Sequence, residues 1–184
     1  MELIRACQLR LDDPVIDVSG AACPLMDALL AAGFTDITVM DRSSAGVSKL
    51  LARSADYSDR VKILNENVVG FHAQRRYALW HDVGVFHSLL YPEERQQYLE
   101  TLEEALQPEG HLVIGTFGPE GPEEYEGQRV CRYSRATLPL ALGSHFELAE
   151  HSLQVHRTAS GELRQYLHCR FRRHAPRVLE HPHS

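Results

Sequence analysis

Short apolar runs alternate with helical patterns along the first two thirds of this chain, and that alternation limits the folds it can adopt. Runs with strand character occupy residues 15–18, 37–40, 61–64, 77–81 and 111–117. Helical spacing follows the first run at Leu25, Met26, Leu29 and Leu30, and Pro92 opens a later helix. Because parallel neighbours need a crossover connection, this order predicts an α/β fold with a mostly parallel sheet and helices on both faces.

The last third of the chain has the pattern of a hairpin. Residues 146–156 and 163–173 have strand character and are separated by a Thr-Ala-Ser-Gly segment. Apolar and polar residues alternate along the second run, as in a half-buried antiparallel strand. Together with the five earlier runs, this C-terminal antiparallel hairpin completes a predicted seven-stranded sheet. We expect a single domain over residues 1–173 and a flexible tail over residues 174–184.

The overall composition indicates where the protein is located and which classes of partner it binds. Hydrophobic residues make up 43% of its 184 residues, yet no apolar run approaches the roughly 20 residues that span a bilayer. The first ten residues mix charged and apolar side chains, unlike a signal peptide, so we expect a cytoplasmic protein that binds no membrane. A formal net charge of −6 argues against nucleic acid as a partner. Nothing in the sequence indicates an oligomeric state.

The reactive side chains do not form the usual local motifs of a metal or hydrolase site. The four cysteines are Cys7, Cys23, Cys131 and Cys169, and none of them belongs to a C-x-x-C pair, so we expect free thiols. The eleven histidines include no H-E-x-x-H motif, and no serine stands in G-x-S-x-G. We therefore expect no metal site and no serine hydrolase chemistry.

The segment from Asp17 to Cys23 joins the first strand candidate to the first helix. Its small residues include Ser19, Gly20 and Ala21. Small side chains let a backbone approach a ligand closely, and free N–H groups at a helix start bind polar ligand atoms. The segment therefore indicates a nucleotide-type cofactor loop. Because the G-x-G-x-x-G spacing is absent, an ordinary strand-to-helix turn is the alternative interpretation.

An acidic residue follows the second strand candidate, about twenty residues beyond that loop. This residue is Asp41, and Ser43 or Ser44 then caps the next helix. In a β-α-β unit the end of the second strand lies beside the first loop, where a carboxylate accepts hydrogen bonds from the ribose hydroxyls of an adenosine. We therefore expect Asp41 to bind a cofactor ribose, with a helix cap or a plain surface acid as the alternatives.

Residues 118–127 form an acidic stretch interrupted by glycine and proline. Long loops of this kind often cover functional sites. One hypothesis is that the glutamates attract a cationic acceptor, and the other is that they form a solvated loop.

Three segments of the chain carry a resemblance to a known family. They are Tyr-Ala-Leu-Trp-His-Asp at 77–82 with Val-Gly-Val-Phe-His-Ser-Leu at 83–89, Leu-Gln-Pro-Glu-Gly-His-Leu-Val-Ile at 106–114, and Phe-Gly-Pro-Glu-Gly-Pro at 117–122 with Arg-Tyr-Ser at 132–134. In turn they resemble the fourth-strand signature, the turn into strand five and the substrate-side loop of small bacterial class I S-adenosylmethionine-dependent methyltransferases. The similarity implies a Rossmann-like methyltransferase sheet and S-adenosylmethionine as cofactor.

The resemblance also implies roles for individual residues. It places around the cofactor Asp17, Ser19, Gly20, Ala21, Asp41, Arg42, Asn67, Val68 and His81. It implies catalytic roles for His81 and Asp82, and His87 is a further candidate for a general base if the acceptor must lose a proton. The alternatives are a turn asparagine for Asn67, a helix cap for Asp82 and a packing residue for His87.

The glycine loop is where this chain departs from the family. The family loop reads Asp-x-Gly-x-Gly-x-Gly, and here Ser19, Ala21 and Cys23 occupy the three glycine positions. Two hypotheses follow from the resemblance and this departure. The first is methyl transfer from S-adenosylmethionine to a small molecule or a protein side chain, in which the protein mainly holds the reacting groups in line. The second is a catalytically inactive, methyltransferase-like binding or scaffold protein.

Overall fold

A computed structural model describes residues 1–158, 161 and 163–174. Over these residues the α-helices are α1 (Glu2–Arg5), α2 (Leu25–Ala31), α3 (Ser44–Arg53), α4 (Pro92–Ala105) and α5 (Thr137–Leu142), and short 3-10 helices occupy Ala55–Tyr57 and Phe86–Ser88. The strands are β1 (Val15–Asp17), β2 (Ile37–Met40), β3 (Val61–Leu64), β4 (Tyr77–Val83), β5 (Leu106–Phe117), β6 (Glu124–Tyr125), β7 (Gln128–Arg129), β8 (Phe146–Arg157) and β9 (Leu163–Arg173). The predicted tail lies outside the described residues beyond residue 174, and the single-domain assignment stays a prediction.

Seven of these strands form one sheet in the order β3-β2-β1-β4-β5-β9-β8. Strands β1 to β5 are all parallel to one another, whereas β9 runs antiparallel to both β5 and β8. This confirms the predicted mostly parallel, seven-stranded sheet with a C-terminal antiparallel hairpin. The strand order reverses between β1 and β4, and open α/β sheets bind ligands beyond the carboxyl ends of strands at such a point.

Helices cover both faces of the sheet and enclose two hydrophobic cores. Along β4, Leu79 faces the core shared with α1, α2 and α3, and Trp80 faces the core shared with α4 and α5. Successive residues of a strand point to opposite faces. His81 therefore lies on the α2 side of the sheet, and Asp82 lies on the α4 side. None of the described helices has the length and apolar composition that a membrane crossing requires.

The structure corrects the predicted start of the fifth strand. The sequence places a helix stop at Pro108 and Gly110 and begins the strand at His111, whereas α4 ends directly before β5, which begins at Leu106. Pairing with β4 shifts register between Leu106 and His111, and Glu109 there has a φ of 63°. A proline without an N–H is tolerated in such a bulge. Strand β5 therefore includes Pro108 and Gly110, two residue types that usually interrupt a strand.

The acidic stretch after β5 contains a small hairpin that the sequence analysis missed. Strands β6 and β7 pair across a turn at Glu126 and Gly127, where φ is 50° and 76°. The Val130 N–H donates to the Glu123 carbonyl at 2.9 Å and closes the base of the hairpin. Two-residue turns with positive φ at both positions match the twist of paired strands.

Candidate active site

A cleft of about 550 Å³ opens at the carboxyl ends of the parallel strands. Six of the residues predicted around a cofactor line it: Ser19, Gly20, Asp41, Arg42, Asn67 and Val68. The other predicted site residues lie beside the cleft and do not line it: Asp17, Ala21, His81 and Asp82. The topological switch point between β1 and β4 therefore coincides with a cavity, as open α/β sheets predict.

The loop after β1 is held against β4 by a side chain at the first of the three glycine positions. The Ser19 hydroxyl accepts a hydrogen bond from the Val83 N–H at 2.8 Å, and the Ser19 N–H donates to Asp17 Oδ1 at 3.0 Å. Only Gly20 in this loop has a positive φ, at 78°. The side chains of Ser19, Ala21 and Cys23 therefore impose no left-handed backbone strain.

Asp41 links the ends of β1 and β2. Its Oδ2 accepts from the Ala21 N–H at 2.8 Å, and its Oδ1 accepts from the N–H and the hydroxyl of Ser43 at 2.8 and 2.9 Å. Partial burial alone would raise the pKa of Asp41, but the hydrogen bonds from Ala21 and Ser43 outweigh it and lower the pKa. The Ser43 hydroxyl also accepts from the Gly46 N–H at 3.0 Å, which confirms the predicted cap of α3. Asp41 is thus a fixed, charged carboxylate facing the cleft.

The loop after β3 supplies the far wall of the cleft. Val68 is buried and offers an apolar surface, whereas Asn67 is exposed. The Asn67 side-chain oxygen accepts from the Val69 N–H at 3.2 Å, so this side chain also shapes its own turn. Glu66, which the sequence analysis did not select, lines the same wall. The loop therefore combines one apolar and two polar side chains where it meets the cleft.

Asp17 and His81 form a buried pair beneath the loop, on the α2 side of the sheet. They are register partners on β1 and β4, and Asp17 Oδ1 lies 2.9 Å from His81 Nδ1. Burial alone would raise the pKa of Asp17, but His81 and Ser19 together lower it. The Ser19 hydroxyl approaches the same nitrogen, at 3.3 Å. A serine-histidine-aspartate triad uses the two different nitrogens of the ring, so this arrangement is not one.

Asp82 points away from the cleft into the core beside α4, and the structure does not support its predicted contact with an acceptor. Its side chain is fully buried and accepts from the Tyr98 hydroxyl at 2.7 Å and from the N–H groups of Val85 and Phe86 at 2.9 and 3.0 Å. Burial raises the pKa of Asp82 to about 6. The alternative interpretation, a cap on the segment after β4, describes these contacts.

His87, for which a packing role was the alternative, lines the cleft and also packs within it. Its ring stacks on Phe117 with centroids 4.5 Å apart, and its Nδ1 accepts from the Phe117 N–H at 3.2 Å. Burial lowers the pKa of His87 to about 4. The ring is therefore neutral near pH 7 with its proton on Nε2, so it offers a hydrogen-bond donor rather than a free base.

We expect the stability of the protein to fall as the pH drops from about 6.5 to about 4, in part because of His87. Between these pH values the unfolded chain binds a proton at His87 and the folded chain does not. Once the pH is below both pKa values of His87, this difference lowers the free energy of unfolding by roughly 3 kcal/mol. His87→Phe keeps the stacking and should remove this part of the pH dependence. Urea unfolding at pH 7 and pH 4.5 measures it, with His151→Phe at an exposed position as control. An equal loss of stability between pH 7 and pH 4.5 in the wild type and in His87→Phe would contradict this role of His87.

Aromatic side chains surround the end of the cleft near β5. Phe117 lies between His87, Tyr125 of the small hairpin and Tyr166 of β9, with centroid separations of 4.5, 5.4 and 5.0 Å. The Arg164 guanidinium stands over the Tyr125 ring at 5.1 Å. Such faces bind flat or cationic groups. The acidic stretch thus contributes an aromatic side chain to the cleft as well as the carboxylate of Glu126.

Several of these residues were not selected from the sequence. Val83, Gly84 and Phe117 follow or end buried strands, so their position at strand ends is a signal that the sequence does contain. Tyr166 lies opposite Phe117 only because β9 pairs antiparallel with β5 in that register. Tyr125 reaches the cleft because the chain after β5 folds back as a hairpin, and no periodicity in the sequence predicts that.

Comparison with known proteins shows the fold. No protein-family profile and no curated protein matches this chain. Among solved structures, the N-methyltransferase NodS from Bradyrhizobium japonicum WM9 is 16% identical over 95% of this chain and 93% of its own, with a TM-score of 0.76. A 1,6-didemethyltoxoflavin-N1-methyltransferase from Burkholderia thailandensis, solved with 1,6-didemethyltoxoflavin and S-adenosylhomocysteine bound, is 20% identical over 89% of this chain and 72% of its own, with a TM-score of 0.72.

The same fold also occurs in a protein with a different named activity. The [4+2]-cyclase SpnF is 15% identical over 95% of this chain and 79% of its own, with a TM-score of 0.74. This chain therefore has the fold of the class I S-adenosylmethionine-dependent methyltransferases. Because a fold carries more than one chemistry, its activity has to be argued from the site.

Proposed function

We propose that this protein is an S-adenosylmethionine-dependent methyltransferase that acts on a small molecule. The observation that carries the proposal is Asp41, a fixed carboxylate at the end of β2 that lines the cleft and accepts from the backbone of the loop after β1. At that place in a doubly wound sheet a carboxylate binds the ribose of an adenosine-containing cofactor. The fold shared with methyltransferases that bind S-adenosylhomocysteine supports the same assignment.

The residues that line the cleft fit the successive parts of such a cofactor. A carboxylate has about four acceptor positions, and Asp41 uses three of them within the protein, which leaves one on Oδ2 for a ribose hydroxyl. Val68 and Met40 offer apolar contacts to the adenine, and the Asn67 amide offers polar ones. Ser19 and Gly20 face the remainder of the cofactor. Asp17 and His81 support this loop from below and do not line the cleft.

The aromatic end of the cleft is the proposed acceptor site. In this cleft S-adenosylmethionine would supply a sulfonium methyl group for in-line displacement: a bond from the acceptor to the methyl carbon would form as the carbon–sulfur bond breaks, with S-adenosylhomocysteine as the leaving group. The protein has to orient the acceptor, and the rings of Phe117, Tyr125 and Tyr166 provide faces for stacking a flat molecule. The neutral His87 donates from Nε2 and so orients an acceptor atom. These surfaces favour a small molecule over a protein side chain, and we place neither Asp82 nor His81 in contact with it.

The test is calorimetric titration with S-adenosylhomocysteine together with a transfer assay. The assay uses labelled S-adenosylmethionine and a panel of small amines, phenols and nitrogen heterocycles. We expect saturable 1:1 binding and label transfer to one class of the panel. Absence of binding at millimolar ligand would refute the proposal.

Binding without transfer would instead support the second candidate, a methyltransferase-like protein that binds ligands without catalysis. One observation favours that candidate: Ser19 lines the cleft at the first of the three positions where the family loop has glycine. A wider acceptor panel then includes peptides with exposed lysine, arginine and glutamine side chains. Transfer to one of them would show that the first panel lacked the acceptor, and no transfer to any would support a protein without catalytic activity.

A further inference from the structure

Three side chains with different ligand chemistry meet beneath the loop that joins β1 to α2. They are Asp17 at the end of β1, Cys23 at the end of the loop and His81 on β4, and their carboxylate, thiol and imidazole atoms lie within 4.8 Å of one another. The register of β1 on β4 places Asp17 beside His81, and the loop returns Cys23 to the same side of the sheet. The sequence spacing gave no sign of this group, because its members are 6 and 58 residues apart.

One buried carboxylate oxygen of this cluster lacks a well-aligned hydrogen-bond partner among the described residues. Asp17 is fully buried, and its Oδ1 is bonded by Ser19 and His81. Its Oδ2 has no well-aligned hydrogen-bond partner in the part of the chain that the structure describes, although the nearby Cys23 thiol interacts with this carboxylate. Leaving a buried carboxylate oxygen unpaired is costly, and native structures contain few such atoms. A cation between Asp17, Cys23 and His81 would satisfy it.

We propose that Asp17, Cys23 and His81 bind a divalent transition-metal ion, and that Zn²⁺ fits them best. Zinc binds oxygen, nitrogen and thiolate sulfur, whereas Mg²⁺ and Ca²⁺ select oxygen ligands. When the metal binds, the Cys23 thiol loses its proton to solvent and a metal–sulfur bond forms. The charges of the Asp17 carboxylate and the Cys23 thiolate then balance the two positive charges of the ion, with His81 neutral.

The distances in the cluster are compatible with a tetrahedral site after small side-chain movements. Zinc bonds of about 2.0 to 2.3 Å place neighbouring ligand atoms about 3.3 to 3.7 Å apart. The half-buried Cys23 gives an entry path, and three protein ligands leave the fourth position for water or the nearby Ser19 hydroxyl. The metal would fasten the loop to the sheet, which is a role separate from methyl transfer.

The test is spectroscopic titration of protein stripped with a chelator. We expect Co²⁺ to bind 1:1 with a thiolate-to-cobalt charge-transfer band, and Zn²⁺ to displace it. Cys23→Ala should abolish the band, and Asp17→Asn should weaken binding by at least about 10-fold. Cys131→Ala, at a cysteine that is also half-buried but lies outside the cluster, is the matched control and should bind like wild type.

Two results would overturn the proposal: no charge-transfer band in the wild-type protein, or a band that persists in Cys23→Ala. Because alanine is small and already occupies the two preceding positions, we expect that variant to fold, and circular dichroism verifies it. The titration uses the metals alone without any cofactor. Its outcome is therefore independent of whether S-adenosylhomocysteine binds the cleft.

Discussion

Replacing Asp41 by asparagine is expected to weaken the binding of S-adenosylhomocysteine by about 10- to 150-fold. The change removes the charge of the one carboxylate at the end of β2 that lines the cleft, and a hydrogen bond to a charged group is worth about 1.5 to 3 kcal/mol. It also weakens the acceptor that holds the Ala21 N–H, so the loop after β1 loses support. Calorimetric titration of both proteins measures the difference.

Two further variants make this test specific. Asp36→Asn makes the same change just before β2, at the opposite end of that strand, where Asp36 pairs with Arg75 on the surface. It should bind like wild type, because exposed ion pairs contribute little and the cleft is remote. Gly46→Ala would drive a methyl group into the Asp41 carboxylate and should weaken binding as well. Unchanged affinity in Asp41→Asn would mean that this carboxylate does not bind the ligand.

Replacing Asp82 by alanine is expected to destabilise the fold by about 4 kcal/mol and to lower the melting temperature by about 8 to 16 °C. The variant leaves the Tyr98 hydroxyl and the N–H groups of Val85 and Phe86 without their acceptor. Each buried donor that loses its partner costs about 1 to 3 kcal/mol. Trp80 Nε1–H donates to the same Tyr98 hydroxyl at 3.1 Å, so the whole network loses its fixed arrangement. Thermal and urea unfolding measure the loss.

The binding of S-adenosylhomocysteine separates this structural role from a catalytic one. Folded Asp82→Ala protein at low temperature should bind the ligand nearly as wild type does, since Asp82 does not line the cleft. Asp82→Asn keeps the shape of the side chain and one acceptor oxygen, so it should lose less stability than Asp82→Ala. Asp56→Ala, at an exposed acid, should leave stability unchanged within about 0.5 kcal/mol. A stable Asp82→Ala protein would refute the network as we describe it.

The sequence predicted the site best where one residue and its local pattern were sufficient. Asp41 follows a buried strand at the spacing of a β-α-β unit, and it lines the cleft. That it binds a cofactor ribose stays a prediction. The sequence could not decide between His81 and Asp82, which are adjacent in a motif that resembles the family signature. Alternation along β4 sends one side chain under α2 and the other against α4. Neither faces the cleft, because the cavity lies beyond the strand end at Val83 and Gly84.

The sequence by itself determined the order along the chain of the seven strands of the main sheet, the parallel pairing of the first five and the C-terminal hairpin, because hydrophobic periodicity and turn residues are local properties. Only the tertiary structure brought together Phe117 with Tyr166, and Asp17 with Cys23 and His81. These contacts depend on the pairing partner and register of each strand. Register is fixed by packing across the whole sheet, so residues far apart in sequence become neighbours without any local signal.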